Sequence, residues 1–408
     1  MTILNDSSSS RLNVKHFAEQ AFLLSPVVVL VFLIFNIEDT KWILSRLIPV
    51  VCLYALVFHR HAFLANIKNK KALPLFIASA IAFVFYSASH LLRDDNFGFA
   101  RTLITSLAYL LFIPWDKIDK RGIQCILVAG SMFTGLNALF EYFYIGVPRV
   151  GIAINPIPYA SSCAVFSLSS LLVYISTDSK KLKALSALGF LLALTALILT
   201  DVRGVILFFP VLVVTLVLRL KLSGKLKSLK TLLLPSLLVI AGTFVLFGGH
   251  IGDKFEETKR EVARISSGKY DTSIGVRLDL WQRSSGFVDG NMLVGIGDKQ
   301  LLADIREIPN RRSSVLAHLH NQYIDSFVRY GAIGLIILVA WLFSIRLFAN
   351  RAGVTRETLV LNDCILLVIL IAGLSDVPFH HTHMVYLFSM LTGVLLLTDK
   401  REGLEAEG

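Results

Sequence analysis

A short segment with two histidines separated by one residue holds the side chains best suited to chemistry. In "HLHNQYIDSFVRYGAIG" (318–334), an Asn, an Asp and an Arg accompany the histidines, and a long apolar run follows. If the segment is helical throughout, His320 shares a face with Ile324 and Phe327, whereas His318 projects toward water. A neutral imidazole accepts a proton near neutral pH. We predict that His320 is a general base; a structural histidine that bonds a loop carbonyl is the alternative.

Further polar residues are predicted near this segment. On the same helical wheel, Asp325 and Arg329 form a water-facing ion pair four residues apart. A second histidine cluster, "SDVPFHHTH" (375–383), is predicted to lie on the same side of the molecule. Neither cluster has the i,i+4 histidine spacing of a preorganised helical zinc site, and neither contains cysteine. We therefore expect no metal site; zinc bound by the histidine clusters is the alternative.

Two arginines are candidates for binding an anion. In "LTDVRGVILFF" (199–209), Arg203 interrupts an apolar run at a tight reversal. In "SIGVRLDLWQRSSGFV" (273–288), a helical wheel places Arg277 in the middle of the apolar face. A guanidinium donates two parallel hydrogen bonds and so suits phosphate oxygens. For both residues the alternative is a contact with lipid headgroups.

The elements that must position these residues are membrane helices. Of the 408 residues, 55% are hydrophobic and 17% are charged, and an average soluble domain has about 25% charged residues. The four cysteines lie in or beside apolar segments, which indicates no disulfide framework. We predict an all-α polytopic membrane protein with about twelve transmembrane helices. The predicted spans are 21–37, 42–58, 74–92, 99–113, 122–145, 157–176, 184–200, 204–219, 231–249, 332–349, 358–375 and 384–398.

Basic residues set the predicted orientation. The net charge is +11, and the basic residues concentrate in alternate short loops, which indicates membrane topology and not nucleic-acid binding. The positive-inside rule places both termini in the cytoplasm, with tails at 1–20 and 399–408. Helices one to nine then occupy 21–249, and helices ten to twelve occupy 332–398. The long loop 250–331 lies outside the cytoplasm, and a loop of that length is usually functional.

Three short patterns, in this order, resemble the O-antigen ligase family, which shares a domain with O-antigen polymerases and some protein O-oligosaccharyltransferases. They are a TxxRG turn, a GxRxxxW helix and an HNxY helix. Their residues here are Thr200, Arg203, Gly204, Gly275, Arg277, Trp281, His320, Asn321 and Tyr323. The resemblance is detailed between about residues 185 and 340, and it extends to the whole chain in span count and loop placement.

The resemblance implies a glycosyltransferase in the inner membrane of a Gram-negative bacterium, with a periplasmic loop that contains amphipathic helices. The donor would be a glycan on undecaprenyl diphosphate, and the acceptor would be the lipid A–core oligosaccharide. Arg203 and Arg277 would stabilise the leaving diphosphate, while His320 would deprotonate the attacking hydroxyl. Direct displacement would invert the anomeric centre. Because the donor is already activated, we expect no cofactor and a metal-independent reaction.

Other residues of these segments are expected to contact substrate. Trp281 would pack against the donor, Asn321 would orient the catalytic histidine, and Arg149 would contact phosphate or a core sugar. His318 and Tyr323 are further candidates for substrate binding. The alternatives are a repeat-unit polymerase or a protein O-oligosaccharyltransferase with the same donor class, and a transporter of lipid-linked glycan. A transporter should carry paired ionisable residues deep in several spans, and these spans are nearly free of charge.

Overall fold

The structure is a computed structural model that describes residues 4–222, 252, 256–288 and 290–399. Within these ranges every regular element is helical and no strand occurs, so the predicted all-α class is confirmed. The helices are α1 (Leu4–Val28), α2 (Lys41–Phe58), α3 (His61–Ile67), α4 (Leu73–Arg93), α5 (Gly98–Phe112), α6 (Lys120–Phe140), α7 (Pro156–Ser176), α8 (Lys180–Leu199), α9 (Arg203–Leu222), α10 (256–266), α11 (Ser273–Phe287), α12 (Gly297–Arg306), α13 (Gln322–Ala352), α14 (Arg356–Gly373), α15 (Thr382–Tyr386) and α16 (Thr392–Leu397).

Eight helices of the described chain are long and apolar enough to cross a membrane. They are Lys15–Leu33, Lys41–Phe58, Leu73–Arg93, Lys120–Ile145, Pro156–Ser176, Lys180–Leu199, Arg203–Leu222 and Gln322–Phe348. Two shorter apolar helices, Gly98–Phe112 and Thr382–Leu397, coincide with further predicted spans. Helix α14 also has 18 residues, but it contains three charged residues, Arg356, Glu357 and Asp363. The predicted span 231–249 lies outside the described residues, so the number twelve stays a prediction.

Helix α7 is the centre of the bundle and packs against α6, α8, α9 and α14. Its apolar window is 83% buried, and many of its buried residues are small. Ser170 donates a hydrogen bond to Ser131 of α6 at 2.9 Å, and Ser131 in turn bonds the carbonyl of Phe166 at 2.9 Å. Small residues allow close helix approach in membranes, and such hydroxyl bonds satisfy polar groups there.

Helix α13 is broken at Gly331, whose φ of 68° and ψ of −169° are not helical. A side chain at this position would overlap the backbone of Leu293. Because the helix is broken here, the segment around Leu293 can form hydrogen bonds with the second half of α13. Ala332, at the start of that half, donates its N–H to Met292 O at 2.8 Å. The result is a short polar helix, 322–330, set apart from a long apolar one.

The described residues 256–330 form a polar cap over one end of the bundle. The cap has its own apolar cluster, which includes Leu280, Leu301 and Leu319. It is fixed to the α4–α5 turn because Asp298 N–H donates to Asp95 at 2.7 Å and Arg93 donates to the carbonyl of Val294 at 2.8 Å. These contacts hold the cap in place around the candidate site.

Candidate functional site

All three sequence patterns approach one dipeptide, Ser375–Asp376, in the turn between α14 and α15. The Nε of Arg277 donates to the carbonyl of Ser375 at 2.9 Å. A Cβ added to Gly204 would lie 3.4 Å from the Ser375 hydroxyl. The Nδ1 of His320 lies 3.0 Å from an Asp376 carboxylate oxygen. The ends of α9, α11 and α13 therefore meet at this turn, although they are far apart in sequence.

His320 lies before α13 and not in its first turn, so the predicted helical wheel is wrong for both histidines. Its φ is +50°, in the left-handed region that costs a residue with a Cβ energy. The helix begins at Gln322 because the Asn321 side chain accepts the N–H groups of Tyr323 at 3.0 Å and Ile324 at 3.1 Å. Asn321 thus ends the loop that holds His320, as an orienting residue would.

Asp376 is the site residue that sequence reasoning did not assign, since the 375–383 cluster was considered only for zinc. Its side chain is fully buried. Burial raises the pKa of its carboxyl, but the hydrogen bond with His320 and the charges of nearby histidines hold the pKa below its usual value. A carboxylate at Nδ1 selects the tautomer with Nδ1 protonated and leaves Nε2 as the proton acceptor. The available signal was a lone acidic residue directly after an apolar run and before three histidines.

His318 is buried, with 8% of its surface exposed, so its predicted position toward water is wrong. Its Nδ1 accepts the backbone N–H of His320 at 3.3 Å, and the two rings are 4.2 Å apart. Burial, followed by the charge of His320, lowers the pKa of His318 to about 4. The His318 imidazole is therefore neutral at pH 7, and its hydrogen bond to the backbone of His320 stabilises the loop.

The Asp325–Arg329 pair is also buried, contrary to its predicted place on a water-facing surface. The cap covers that face, and Asp298 of α12 binds Arg329 from the other side. The Arg329 Nε donates to Asp325 at 2.7 Å. Asp325 accepts the N–H of Leu319 at 3.0 Å, and Arg329 donates to the carbonyl of Ala317 at 2.7 Å. The pair therefore fixes the backbone on both sides of His318.

Arg149, Arg203 and Arg277 form an arginine group beside the histidines. Burial is the main cause that lowers the pKa of Arg277 and of Arg149. Nearby carboxylates oppose it, namely Asp376 and Glu261 at Arg277 and Asp201 at Arg149, and the charge of Arg149 lowers the pKa of Arg277 as that of Arg203 lowers the pKa of Arg149. These two effects place Arg149 within electrostatic range of both Arg277 and Arg203. Close cations of this kind favour an anionic ligand between them.

Each member of the arginine group is held by the protein. Arg149 Nε donates to the carbonyl of Thr200, in the TxxRG turn, at 2.6 Å. Arg203 donates to Glu257 and to the Thr258 hydroxyl of α10, each at 2.7 Å. Arg277 also donates through Nη1 to the hydroxyl of Ser273 at 2.8 Å. Arg149 and Arg277 are thus held by carbonyl and hydroxyl oxygens, whereas Arg203 is paired with carboxylates of α10.

Trp281 and Tyr323 make structural hydrogen bonds. The Trp281 indole donates to the carbonyl of Leu319, between the two histidines, at 2.8 Å. The Tyr323 hydroxyl donates to the carbonyl of Leu370 in α14 at 2.9 Å. Both side chains therefore position the histidine loop against its neighbours. Their predicted contacts with substrate stay predictions.

One set of donors in the described chain has a geometry that could hold a metal ion. It consists of His318, His320 and Asp376, whose donor atoms lie within 4.8 Å of one another. This set draws on both histidine clusters, whereas the predicted alternative of zinc was weighed on each cluster's own spacing. A cation there would occupy His320, the predicted base. Chelation therefore distinguishes a proton acceptor from a metal ligand at His320.

Comparison with known proteins adds a family to this geometry. A family model described as O-Antigen ligase matches residues 188–339. The match includes Arg203, Arg277 and His320, while Arg149 and Asp376 lie outside it. A protein of Haemophilus influenzae (strain ATCC 51907 / DSM 11121 / KW20 / Rd), described as uncharacterized, is 24% identical over 282 residues. The alignment covers 63% of this chain and 69% of that protein.

Proposed function

We propose, since this chain belongs to the O-antigen ligase family, that it transfers a glycan from undecaprenyl diphosphate to the lipid A–core oligosaccharide. The observation that carries the proposal is the pair of half-buried His320 and buried Asp376, at 3.0 Å, beside the arginine group. A base and an anion site next to each other are what this transfer needs. The proposed location is the periplasmic face of the bacterial inner membrane, with both termini in the cytoplasm.

The proposed chemistry is a single displacement. A hydroxyl of the acceptor sugar attacks the anomeric carbon of the donor, and Nε2 of His320 takes the hydroxyl proton. The bond between the anomeric carbon and the diphosphate oxygen breaks, and the lipid diphosphate leaves with the electron pair. The Asp376 carboxylate accepts a hydrogen bond from Nδ1–H of His320, and its negative charge stabilises the imidazolium that forms. Attack opposite the leaving group inverts the anomeric centre.

The arginine group would stabilise the leaving diphosphate. The negative charge on the diphosphate grows as the glycosidic bond breaks, so preorganised cations bind the transition state better than the ground state. Arg277 is fixed through Nε and Nη1, and its Nη2 makes no hydrogen bond within the described residues. That nitrogen is suited to a phosphate oxygen. Arg203 reaches the same region from the start of α9.

The test is transfer in proteoliposomes that contain purified donor and acceptor. His320→Asn should lower the rate by at least about 100-fold, the lower end of what a general base contributes. Asparagine tolerates the left-handed backbone of this position better than alanine does. The control is His61→Asn, at an exposed histidine outside the site. Wild-type transfer by His320→Asn, at equal protein level, would exclude His320 as the base.

Two further measurements separate the alternatives. In a deletion strain, loss of all O-antigen from an intact core supports the ligase, whereas a core that bears one repeat unit identifies a polymerase. Transfer is expected to proceed in excess EDTA because the leaving group is already activated. Activity that chelation abolishes and zinc restores would instead assign His318, His320 and Asp376 to a metal site.

A further inference from the structure

A second polar feature, a cavity of about 200 Å³, adjoins the histidine loop. The chain runs from Ser375, which contacts Arg277, through Asp376 at the histidines, to residues 377–382 at the cavity wall. No member of the arginine group lines the cavity. Its walls come from the α4–α5 region, the start of α12, both halves of α13 and the segment that leads into α15. The histidine loop therefore has the arginines on one side and this cavity on the other.

The charges of the cavity favour a neutral ligand. Two guanidinium groups, of Arg101 and Arg329, and two carboxylates, of Asp298 and Asp325, line it. Among the described residues, His380 is the one histidine that lines the cavity. Burial and the charge of Arg329 lower its pKa, so its imidazole is neutral at pH 7. The formal charges cancel. An anionic phosphate would find no net attraction here, unlike at the arginine group.

The cavity combines hydrogen-bonding groups with aromatic rings. The Tyr86 hydroxyl makes no hydrogen bond within the described chain. The Arg101 guanidinium donates no hydrogen bond within the described chain, and it lies 5.8 Å from the Trp42 ring centroid. The bound carboxylates of Asp298 and Asp325 keep lone pairs for further hydrogen bonds. The rings of Phe99 and Phe379 complete the wall. Such mixed walls suit a sugar ring, which has polar hydroxyls at its edge and C–H groups on its faces.

The cavity is coupled to the proposed base. The ring of His380, in its wall, is 5.3 Å from the ring of His318. Asp325, also in its wall, accepts the N–H of Leu319 at 3.0 Å. A ligand in the cavity would therefore lie against the loop that holds His320.

We propose that this cavity binds a neutral sugar ring of the acceptor glycan and so presents the attacking hydroxyl to His320. The inference rests on the proposed function and names the acceptor subsite within it. In this arrangement the donor diphosphate occupies the arginine side and the acceptor sugar occupies the cavity side. The cavity volume suits one sugar ring. The subsite therefore recognises the terminal acceptor sugar and does not depend on the length of the glycan.

The first test measures binding without turnover. Delipidated core oligosaccharide is titrated into the purified full-length protein in nanodiscs, with no donor present. Thr382→Phe adds a phenyl ring to the cavity wall, and Thr195→Phe adds the same ring to the exposed side of α8. Thr382→Phe should abolish saturable binding. Thr195→Phe and the donor-side variant Arg203→Ala should bind as the wild type does.

The second test uses smaller changes in case Thr382→Phe fails to accumulate. Tyr86→Phe removes one hydroxyl and should raise the KM for lipid A–core about 3- to 10-fold, the range for one neutral hydrogen bond. Arg101→Gln should raise it about tenfold or more, because a charged donor is lost. The KM for the donor should stay unchanged in both. An increase in the donor KM without a change in the acceptor KM would overturn the assignment.

The outcomes separate this inference from the proposed function. Wild-type binding of core oligosaccharide by Thr382→Phe would overturn the cavity assignment, and the proposed function would stand if His320→Asn still lost transfer. If the wild type transfers nothing to lipid A–core but binds the oligosaccharide in a Thr382-dependent manner, the ligase reaction fails while the sugar site stands. Absence of oligosaccharide binding to the wild type would overturn the subsite.

Discussion

His320 combines an unfavourable backbone conformation with a buried hydrogen-bond partner. A left-handed conformation of a residue other than glycine costs on the order of 1–3 kcal/mol. It persists here because Asp376 holds the ring and Asn321 ends the loop. Strain that is kept in place by the surroundings is typical of functional sites. The same conformation directs the imidazole to the point where α9, α11 and α13 meet.

Substitutions of Arg277 test whether glycan transfer needs the geometry of a guanidinium group or only a positive charge. Arg277→Lys keeps the charge but cannot bond both Ser375 and Ser273 while it contacts phosphate. We expect Arg277→Ala to lower transfer by about 10²–10³-fold, as for the loss of one stabilising donor, and Arg277→Lys to lose at least about tenfold. Arg283→Lys, on the same helix but paired with Asp279, is the matched control. Equal activity of Arg277→Lys and wild type would mean that Arg277 acts through its positive charge and not through the geometry of its guanidinium group.

His318 predicts a pH dependence of stability. Its pKa is lowered to about 4 in the folded state, whereas an unfolded histidine has a pKa of about 6.5. Between these values the unfolded chain binds a proton that the folded chain does not, so stability falls as the pH falls from 6.5 to 4. Thermal unfolding in detergent should show this loss. His318→Asn, whose amide oxygen replaces the Nδ1 acceptor, should flatten the curve.

The matched control for the substitution itself is His61→Asn, at an exposed histidine outside the site. The neighbours of His318 act in both directions: His320 and His380 lower its pKa, and Asp376 and Asp325 raise it. Burial is the largest effect. A His318→Asn variant that loses stability between pH 6.5 and 4 as steeply as the wild type would show that His318 is protonated in the fold.

The residues of the site follow from the amino-acid sequence to different degrees. Arg277 was predicted from its place on an apolar helix face, and α11 is a helix with that residue half-buried. His320 was singled out from a wheel that does not apply, because a side-chain cap by Asn321 starts the helix later. Asp376 lies 56 residues from His320, and no local pattern specifies a contact over that distance. Tertiary packing alone brings them together.

The helices illustrate what local sequence does specify. Asn155 caps α7, and Pro156 opens it. Ser179 caps α8 through its side chain. Both starts follow from side-chain oxygens that accept early helix N–H groups. The predicted apolar runs therefore match the described helices closely, whereas the burial of α7 on all sides depends on neighbours that periodicity cannot identify.

Gly331 is the element-scale position where the backbone demands glycine. Its φ of 68° and ψ of −169° are accessible essentially to glycine alone, and a Cβ would overlap Leu293. Gly331→Ala should displace the 291–296 segment, lower the midpoint of thermal unfolding and reduce transfer. Gly286→Ala in α11 has open space and should be neutral or stabilise by up to about 1 kcal/mol. Comparable thermal unfolding of the two variants would mean that the α13 break tolerates a side chain.

In the described part of the molecule, most ion pairs lie near the two ends of an apolar bundle. One end carries the cap, the arginine group and the cavity. At the other end Arg219 pairs with Asp363, and Lys71 pairs with Asp399 at 2.9 Å. Chemistry at a membrane surface needs such an arrangement, whereas passage through the bundle would need ionisable groups along its length. Charge counts in the loops predicted which end faces the cytoplasm, but not how the cap folds onto the other.

That orientation yields a prediction for the molecule as a whole. Ser267 lies exposed at the end of α10, in the cap, and Asp178 lies exposed in a loop predicted to be cytoplasmic. In a background without the four native cysteines, Ser267→Cys should react with a membrane-impermeant thiol reagent in cells with a permeabilised outer membrane. Asp178→Cys should react only after the inner membrane is broken, because the positive-inside rule places its basic loop in the cytoplasm. The reverse labelling pattern would place the arginine group and His320 on the cytoplasmic side, away from a periplasmic acceptor, and would rule out the proposed reaction.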